Sequence, residues 1–559
     1  MDPKKISDTL SVSPQISLAD VAEAKALGFR AIICNRPDGE GADQPTFEEI
    51  EAAAKAQGLE ARYVPVTPGM VRDEDAEAME VALRELPGPI LGYCRTGTRS
   101  ATLWSLSMAK TRPLPEILAA TKAAGYDMNG VARRIANGGK TPTDTGDASF
   151  DVVIVGAGAG GIAVAASLKS RKPGLNIALI DPADIHYYQP GWTMVGGGIF
   201  DAQSTARTMG SLIPQGVHWI KSAVAAFEPA NNAVILDGCR VVKYTRLIVT
   251  PGLKLDWAKI DGLVETLGRN GVTSNYRYDL APYTWELVQN LNRGRAIFSQ
   301  PPMPIKCAGA PQKAMYLSSD AWLKRGVLKD IEVKFNNAGG VLFGVKDYVP
   351  ALEGYVKKYG IETNFFHNLI AVDGQAKTAT FKVAKPETEP TTVTMDFDML
   401  HVVPPQTAPD FIRVSPLADA AGWVDVDQST LRHKTYDNIW SLGDVMNAPN
   451  AKTAAAARMQ APVVAQNVAD DIDGRSPSAI YNGYGSCPLT VERGKIVLAE
   501  FGYGGALLPS FPKFLVDGTK PTRAAWLLKE KLLPPIYWKG MLRGKEWMAT
   551  PEKVTAKSQ

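Results

Sequence analysis

The sequence predicts a multidomain α/β protein, and three observations support that prediction. Short apolar runs alternate with helical stretches along most of the chain. A segment rich in Gly, Thr, Asp and Pro interrupts this alternation near residue 140. Directly after it, a strand-like run passes into a glycine-rich turn and then into a helical stretch. The chain has 559 residues, so one hydrophobic core is too few, and we expect about three or four structural units.

The composition narrows the class of protein. Hydrophobic residues make up 45% and charged residues 21%, which is typical of a folded protein, and the net charge of +3 argues against a dedicated nucleic-acid binder. The five cysteines show no metal-ligand spacing and predict reduced thiols without a metal site: Cys34, Cys94, Cys239, Cys307 and Cys487. No apolar leader or membrane-spanning run is evident. We therefore expect a cytoplasmic protein, peripheral on the inner face of the membrane.

The alternation of elements predicts where the domains begin and end. FRAIICN, ARYVPVT and PILGYC read as strands, whereas FEEIEAAAKAQG and DEDAEAMEVALREL read as helices. The predicted parts are an N-terminal α/β domain 1–138, a linker 139–149, a nucleotide-binding domain 150–265 with 400–475, a second Rossmann-like domain 266–399, and a C-terminal region 476–559.

A cysteine loop lies in the N-terminal domain between a strand and a helix. Cys94 and Arg99 frame the loop CRTGTR, whose amides and following helix start favour a thiolate and an anion, so we predict both residues to be catalytic. The loop is similar to the CRxGxR loop of rhodaneses, which serves a sulfur atom. Tyrosine-phosphatase-like enzymes have five residues between Cys and Arg, and here there are four.

The rest of this domain carries a second resemblance. SVSPQISLADVAEAKALGFRAIICNRPDGE resembles the phosphatase-like domain of beta-lactamase-hydrolase-like proteins. We interpret the domain as a phosphatase fold with a sulfur-transfer loop. A phosphatase would need a general acid, for which Arg72–Asp75 is the candidate segment. Sulfur transfer and phosphate-ester hydrolysis both remain open.

A dinucleotide site is predicted at the start of the second part. VVIVGAGAGG places Gly156, Gly158 and Gly161 in the G-x-G-x-x-G frame between a strand and a helix. The next strand, NIALID, ends at Asp181, whose carboxylate suits ribose hydroxyls. The helix start then faces the diphosphate.

A distant segment favours FAD over NAD. YDNIWSLGD reads as a strand that ends at Gly443 and Asp444, and it resembles the second FAD-contacting strand of two-dinucleotide-fold flavoproteins. Lys452 opens the helical run behind it, where a positive charge stabilises a reduced flavin. We therefore predict FAD as the cofactor.

The larger part of the chain resembles a particular family of such flavoproteins. The stretches HYYQPGWTMVGGG, KCAGAPQKAMYLS, KTAAAA and SCPL follow the order found in sulfide:quinone oxidoreductases, closest to the mitochondrial-type branch. The resemblance implies FAD, sulfide or a persulfide as electron donor, a membrane quinone as acceptor, and membrane attachment through the C-terminus. With the fused N-terminal domain, it also suggests a small thiol as sulfur acceptor.

Two further observations agree with this resemblance. The second nucleotide loop, FNNAGGVLFGV, lacks the glycine frame, which argues against NAD(P)H as partner. The tail WLLKEKLLPPIYWKGMLRGKEW, residues 526–547, mixes apolar, aromatic and basic residues. We expect Pro534 and Pro535 to divide it into two short helices, which either anchor the protein in the membrane interface or pack on the domain.

One departure concerns the redox cysteines that the resemblance implies. Cys307 in KCAGAP matches the first, but Val445 stands after Asp444, where we expect the second. Either Cys307 acts alone, or another thiol replaces the missing one, or sulfide oxidation is inefficient. For Cys487 a redox role, a quinone-pocket role and a packing role are all open. On the single-thiol reading, Cys307 carries the sulfur and sulfide alone reduces the flavin slowly.

Three functions are compatible with these patterns. The leading one is a sulfide:quinone-oxidoreductase-like enzyme fused to a sulfurtransferase-like domain, with Cys94 taking up sulfur as a persulfide. The second is a phosphatase with a regulatory flavoprotein half. The third is a membrane-bound sulfide or redox sensor, for which Val445 is the best support.

Overall fold

The computed structural model describes residues 1–41, 44–142, 148–237, 239–449 and 451–553. The chain forms two units. The first comprises Met1–Phe150, Ser222–Tyr244 and Asp410–Ala418, and the second comprises Asp151–Lys221, Thr245–Pro409 and Asp419–Gln559. The predicted α/β class is confirmed. The middle of the predicted linker, residues 143–147, lies outside the described residues.

The first unit contains a five-stranded sheet whose central strand ends at the cysteine loop. In spatial order the strands are Lys4–Lys5, Leu10–Ser13, Ile90–Tyr93, Ala31–Cys34 and Glu60–Tyr63. All neighbouring pairs are parallel except the first. Side chains alternate between the two faces, so Ile32 and Ile33 enter different buried clusters.

Helices cover this sheet. They are Leu18–Ala26, Phe47–Ala56, Asp73–Glu85, Thr98–Ser107, Leu114–Ala123 and Ala132–Ala136. Ser17 and Thr46 form capping boxes that satisfy the free amides at two of the helix starts. The hairpin Val224–Glu228 with Ala233–Leu236 and the short helix Asp410–Arg413 belong to the same unit, and Ala225, Ile235 and Val414 join its core.

The second unit begins with a parallel sheet that forms the nucleotide fold. In spatial order the strands of this sheet are Val217–Ile220, Ile177–Ile180, Ala148–Val155, Val241–Val249 and Ile439–Ser441, of which residues 148–150 and 241–244 fall within the bounds of the first unit. The helices Ala159–Arg171 and Ala454–Ile472 pack against each other beside it. Parallel strands direct their carboxyl ends to one edge, where doubly wound folds bind ligands.

A second parallel sheet and an antiparallel sheet follow. The parallel strands, in spatial order, are Val272–Thr273, Met399–His401, Gly294–Gln300, Ile331–Asn337 and Glu362–Phe365. The antiparallel strands are His367–Asp373, Thr378–Val383 and Thr391–Asp396. The helices of this region are Ala281–Asn290, Ala310–Arg325 and Val349–Tyr359. The helix Ala310–Arg325 is the one that begins next to Cys307.

The remaining elements of the second unit are short. The strands are Ile185–Tyr187, Ala206–Thr208, Lys254–Leu255, Gln406–Thr407, Ala479–Ile480 and Glu552–Lys553, and the helices are Trp192–Val195 and Leu263–Thr266. A two-stranded hairpin, Gly485–Glu492 with Lys495–Phe501, carries Cys487.

The C-terminal tail corrects one prediction. Helical turns run without interruption as Arg523–Leu527, Leu528–Leu532, Leu533–Pro535, Ile536–Gly540 and Met541–Arg543. The expectation that Pro534 and Pro535 divide the tail is wrong. Wider π turns flank the prolines and accommodate the amide that each proline lacks. Across the described ranges, no helix is long and apolar enough to cross a bilayer.

Candidate active site

The glycine-rich turn after the strand Ala148–Val155 has the geometry of a dinucleotide loop. Gly156 has a φ of +96°, and a Cβ there would lie 2.6 Å from the Thr250 carbonyl oxygen. A Cβ on Gly161 would lie 1.8 Å from the Gly156 carbonyl oxygen, so side chains are excluded at both positions. No atom of the described residues lies within 4 Å of a Cβ on Gly158, which caps the helix Ala159–Arg171. The free space at this helix start suits an approaching diphosphate.

Asp181 follows the neighbouring strand and lines the same cavity. Its carboxylate accepts hydrogen bonds from the backbone N–H groups of Ala157 at 2.7 Å and Ala183 at 2.8 Å. These bonds hold the carboxylate beside the glycine loop. The carboxylate can still accept ribose hydroxyls, since each oxygen has further acceptor capacity.

Gly443 and Asp444 meet this loop from the strand Ile439–Ser441. The Gly443 N–H donates to Gln460 Oε1 at 2.8 Å, and space is open above its Cα. Burial raises the pKa of Asp444, although the positive charges of Lys452 and Lys306 oppose that shift. The structure therefore brings Gly158 and Asp181 of the first nucleotide segment, and Gly443 and Asp444 of the second, to the wall of one cavity.

Lys452 is buried at the start of the helix Ala454–Ile472. Its Nζ donates to the carbonyl oxygens of Asp444 at 2.7 Å and Met446 at 2.8 Å, and it lies 4.1 Å from the Trp423 ring centroid. Burial lowers the pKa of Lys452 to about 8. Its charge thus lies in the cavity wall, with its donors already directed at backbone oxygens.

Two cysteines from distant parts of the chain meet at the other end of the cavity. Cys307 Sγ lies 3.6 Å from Cys487 Sγ, and both residues are free thiols. Cys307 precedes the helix Ala310–Arg325, whereas Cys487 lies in the hairpin strand Gly485–Glu492. A disulfide requires about 2.05 Å between the sulfurs, so only a small movement is needed when the two thiols lose two electrons and two protons to form that bond.

This pair corrects the expectation attached to Val445. Val445 is buried in the turn Gly443–Val445, and the second thiol beside Cys307 comes from Cys487 instead. The single-thiol reading is wrong in its premise that Cys307 has no thiol partner, whereas the slow reaction of sulfide alone stays a prediction. Of the three readings left open for Cys487, the geometry agrees with the redox role.

The two thiols differ in acidity. A hydrogen bond from Cys487 and the ammonium of Lys313, whose Nζ is 3.0 Å from Cys307 Sγ, hold the pKa of Cys307 well below its usual value. The same hydrogen bond, together with burial, raises the pKa of Cys487. Cys307 is therefore the better thiolate and the better leaving group.

A second buried lysine reaches the dithiol from the C-terminal tail. Lys313 is 3% exposed and Lys529 is 4% exposed. The Lys529 Nζ donates to the carbonyl oxygen of Pro488, next to Cys487, at 3.3 Å. Burial and the like charge of Lys313 lower the pKa of Lys529 to about 7. Two positive groups around two thiols form a site suited to a small sulfur anion.

One cavity of about 480 Å³ connects the glycine loop with the dithiol. Its walls include Gly158, Asp181, Asp444 and Cys307. Asn275 also lines it, and neither polar atom of that buried side-chain amide has a hydrogen-bond partner among the described residues. A buried amide without partners fits a polar ligand such as an isoalloxazine ring with its carbonyl and imide groups.

Residues of the tail also line this cavity. The Tyr537 hydroxyl is 2.7 Å from Nε2 of His186, and both residues are buried. Burial lowers the pKa of His186. The tail is thus packed into the site on one side. Leu527 and Leu532 of the tail are exposed, and Phe514, twelve residues before the tail, is 92% exposed.

The second nucleotide-type segment has a different structure. The strand Ile331–Asn337 is followed by residues 338–348 before the helix Val349–Tyr359 begins. A Cβ on Gly340 would meet the Phe366 ring at 2.5 Å, and Leu342 and Phe343 are buried in the core. This connection lacks the direct passage from strand through glycine turn to helix that a diphosphate needs.

The cysteine loop of the first unit is ordered around its thiol. Cys94 is fully buried, and the Gly97 N–H donates to its Sγ at 3.1 Å. Gly97 has a φ of +89°, and a Cβ there would lie 2.1 Å from the Tyr126 hydroxyl. Arg99 donates to both carboxylate oxygens of Glu40, at 2.6 and 2.8 Å, a pairing that the sequence did not indicate.

The segment considered for a general acid has structural partners. Asp73 accepts from Arg134 at 2.8 Å and from the Thr141 hydroxyl at 2.8 Å. Asp75 accepts from the backbone and side chain of Arg72. Both carboxylates are therefore committed to holding helix ends.

Two domain families match the chain. The model described as "Beta-lactamase hydrolase-like protein, phosphatase-like domain" matches residues 2–111. The model described as "Pyridine nucleotide-disulphide oxidoreductase" matches residues 150–290. The second unit is thus defined, by fold and by family, as a flavoprotein oxidoreductase of the disulfide-reductase class.

Curated relatives give the particular family. The chain is 42% identical to the mitochondrial sulfide:quinone oxidoreductase of Dictyostelium discoideum, over 70% of this chain and 86% of that protein. It is 39% identical to the mouse mitochondrial protein of the same name, over 71% of this chain and 87% of that protein. The chain belongs to the sulfide:quinone oxidoreductase family.

The relatives of the N-terminal domain match only a part of this chain and a part of their own length. The beta-lactamase hydrolase-like protein of Agrobacterium fabrum is 34% identical over 20% of this chain and 25% of that protein. The chain thus shares one domain with that protein.

Two solved structures share the fold of the larger part. The sulfide:quinone oxidoreductase of Aquifex aeolicus aligns with a TM-score of 0.58 and 18% identity, covering 71% of this chain and 92% of that one. A chain in the mitochondrial ATP synthase of Tetrahymena thermophila aligns with a TM-score of 0.63 and 21% identity, covering 72% of this chain and 98% of that one.

Proposed function

We propose that the protein is an FAD-dependent sulfide:quinone oxidoreductase in which Cys307 and Cys487 are the redox pair. The observation that carries this proposal is the distance of 3.6 Å between their sulfurs at one end of the cavity that begins at the glycine loop. The reaction class follows from the sequence resemblance. The choice of Cys487 as the second thiol follows from its distance to Cys307.

The chemistry begins from the Cys307–Cys487 disulfide. HS⁻ attacks Sγ of Cys487, the bond between the two cysteines breaks, and Cys307 leaves as a thiolate beside Lys313. Cys487 then carries a persulfide, with the proton on its outer sulfur. This direction differs from the expectation that Cys307 carries the sulfur, because the lower pKa makes Cys307 the leaving group.

The cycle closes when a thiolate acceptor removes the outer sulfur from Cys487. The acceptor becomes a persulfide anion, because the proton of the outer sulfur passes to the pair, which becomes one thiol and one thiolate. Two electrons and one proton must then leave the pair to restore the disulfide. The sum is HS⁻ plus a thiolate giving a persulfide anion, one proton and two electrons.

Bound FAD would accept these two electrons and pass them to a quinone. Gly156, Gly158 and Gly161 would shape the diphosphate site, and Asp181 would hold the ribose hydroxyls. Gly443 and Asp444 would meet the diphosphate and ribityl chain, with Asn275 toward the ring. The open Cα of Gly158 supports this fit, as does the Asn275 side-chain amide, which has no hydrogen-bond partner within the described ranges. Lys452 would add positive charge near the flavin.

A membrane quinone is the proposed acceptor, and the tail is the proposed interfacial anchor. The similarity to relatives that are sulfide:quinone oxidoreductases supports the quinone. The outward leucines of the tail lie next to exposed basic residues such as Lys531, a composition that favours the membrane interface. The cytoplasmic, inner-face location stays a prediction.

An anaerobic titration tests the proposal. With a small thiol present as sulfur acceptor, sulfide should bleach the flavin absorbance at a stoichiometry near one, and a soluble quinone analogue should restore it. NADH and NADPH should leave the flavin oxidised over the same period. Protein that binds no FAD, or that NADH reduces as fast as sulfide does, would exclude the proposed reaction.

For the first unit we propose that Cys94 accepts sulfur as a persulfide. The four-residue spacing to Arg99 and the structural commitment of Asp73 and Asp75 favour this over phosphate-ester hydrolysis. Incubation with a small-molecule persulfide should add one sulfur atom to Cys94, detected by peptide mass. Phosphate-ester turnover that depends on Cys94, with no sulfur uptake, would favour the phosphatase instead.

A further inference from the structure

The carboxylate of Glu40 is bound by the guanidinium of Arg99 in the cysteine loop. The two terminal nitrogens of Arg99 donate to the two carboxylate oxygens of Glu40, and Nη1 also donates to the Val66 carbonyl oxygen at 2.7 Å. The Arg99 side chain also interacts with the Cys94 thiol. Arg99 therefore stands between the reactive sulfur and a carboxylate of the protein itself.

A second arginine fixes this carboxylate. The Arg36 Nε lies 3.3 Å from Oε1 of Glu40, and Arg36 Nη1 donates to Gln15 Oε1 at 2.8 Å. The side chains of Arg36, Glu40 and Arg99 are only 9%, 17% and 12% exposed. The pairing is thus largely shielded from water, unlike an ordinary surface ion pair.

This arrangement decides which ligands the loop can take. An arginine guanidinium binds either a carboxylate or a phosphate through the same two parallel N–H donors. The two kinds of anion therefore compete for Arg99. A phosphate monoester would have to displace Glu40 or lie beside its negative charge. A persulfide needs only the loop amides around Cys94, of which Gly97 already donates to the sulfur.

We propose that Glu40 is the specificity-determining residue of the Cys94 site: its carboxylate occupies the Arg99 fork, excludes phosphate monoesters, and leaves a site for sulfur carried on a thiol. The inference rests on the proposed sulfur transfer by Cys94. In that transfer the Cys94 thiolate attacks the outer sulfur of a persulfide, the donor S–S bond breaks, a new S–S bond forms on Cys94, and the donor leaves as a thiolate. The proton stays on the transferred sulfur.

Calorimetric titration of the full-length protein with inorganic phosphate tests this role. Glu40→Gln keeps the shape of the side chain and removes its charge, so phosphate affinity should rise at least about tenfold over wild type. Glu51→Gln is the matched control, because Glu51 forms a surface pair with Lys55 in the same unit and should leave the affinity unchanged. Equal phosphate affinity in wild type and Glu40→Gln would overturn the proposal.

A second variant and a second readout keep the outcomes separate. Glu40→Asp retains the charge and should bind phosphate as weakly as wild type; tight binding by this variant would also overturn the proposal. Sulfur uptake by Cys94 from a small persulfide is measured in parallel. If Cys94 takes up sulfur but Glu40→Gln gains no phosphate affinity, the role of Glu40 is refuted and the sulfur transfer stands. If Glu40→Gln gains phosphate affinity but Cys94 takes up no sulfur, the sulfur transfer is refuted.

Discussion

Cys307 shows how backbone and side chains together produce a reactive thiol. Its φ is +49°, a left-handed conformation that is uncommon for a residue with a side chain. The Cys307 N–H donates to the Lys452 carbonyl oxygen at 2.8 Å, and its own carbonyl oxygen accepts from Ala310 N–H at 2.6 Å. These bonds hold the residue in place just before the helix Ala310–Arg325. The sulfur is thereby fixed between Lys313 and Cys487.

Replacing Lys313 should make Cys307 less acidic. Lys313→Met removes the ammonium that stabilises the thiolate, and hydrogen bonds to charged groups contribute about 1.5–3 kcal/mol, so the pKa of Cys307 should rise by about one to two units. The pH dependence of iodoacetamide reaction at Cys307 measures this shift in the reduced protein. Lys329→Met removes an exposed lysine just beyond the same helix and should leave the profile unchanged. An unshifted profile in Lys313→Met would contradict the assigned contact.

Lys529 predicts a pH-dependent effect on the reaction with sulfide. Its lowered pKa, about 7, means that the ammonium is present below neutral pH and is lost as the pH rises. The groups that act on it are Lys313, Cys307 and Cys487. Compared with wild type at the same pH, Lys529→Met should slow flavin reduction by sulfide about tenfold near pH ~6 and little near pH ~8.5.

The exposed neighbour of Lys529 provides the control for that experiment. Lys531 lies in the same tail with 66% of its side chain exposed. Lys531→Met should therefore react with sulfide like wild type at every pH. Equal losses in the two variants, or a loss in Lys529→Met that does not vary with pH, would count against a charged Lys529 at the dithiol.

Local patterns predicted the nucleotide residues but could not predict the redox pair. Gly156, Gly158 and Gly161 lie within one turn, so their spacing alone defines the geometry. Cys307 and Cys487 are separated by 180 residues, and only packing of a hairpin against a helix brings them together. Glu40 and Arg99 are also distant in the sequence, 59 residues apart, and only the folded structure brings them together. The contact between Lys313 and Cys307 was easier to predict from the sequence, since Lys313 lies six residues after Cys307 at a helix start.

At the scale of elements, the C-terminal tail has one set of side chains packed on the domain and another set exposed. Trp526, Lys529 and Tyr537 are buried against the domain, whereas Leu527 and Leu532 are exposed. Composition predicted the amphipathic character correctly. The uninterrupted helical path through Pro534 and Pro535 was not predictable, because π turns leave no sequence pattern of their own.

The exposed leucines should govern membrane binding without affecting the chemistry. Leu527→Gln/Leu532→Gln removes two side chains that would each contribute about 1.5–3 kcal/mol when buried in the interface, so liposome binding should fall about tenfold or more. Reduction of the flavin by sulfide should stay at the wild-type rate. Flotation with anionic liposomes measures the first quantity. Leu323→Gln, an exposed leucine on the helix Ala310–Arg325, is the control. Unchanged flotation of the double variant would assign the tail to packing alone.

At the scale of the whole molecule, one chain carries two cysteine sites on two units. The second unit belongs to the sulfide:quinone oxidoreductase family, and the first matches a phosphatase-like domain. Sequence patterns predicted both classes, because each domain has a characteristic loop between a strand and a helix. The segments Ser222–Tyr244 and Asp410–Ala418, which belong to the first unit, carry no such signal and follow from packing alone.

The two sites should be separable by substitution in the full chain. Cys94→Ser should leave flavin reduction by sulfide and its reoxidation by a quinone analogue within about twofold of wild type, a difference below about 0.5 kcal/mol. The peptide around position 94 should carry a persulfide after turnover in wild type and none in Cys94→Ser, as measured by peptide mass. Cys34→Ser, a buried cysteine in the neighbouring strand, should retain that persulfide. Loss of flavin reduction in Cys94→Ser would show that the sites do not act separately.

The central claim, that Cys307 and Cys487 are the redox pair, is tested most directly by a non-reducing peptide map of the full-length protein before and after one equivalent of sulfide. Before sulfide, the account predicts a disulfide-linked peptide pair containing Cys307 and Cys487. After sulfide, the link should be gone, Cys487 should carry one additional sulfur atom, and Cys307 should be free for alkylation. A map in which Cys307 is unlinked in the oxidised protein, or is linked to Cys34, Cys94 or Cys239, would contradict the account.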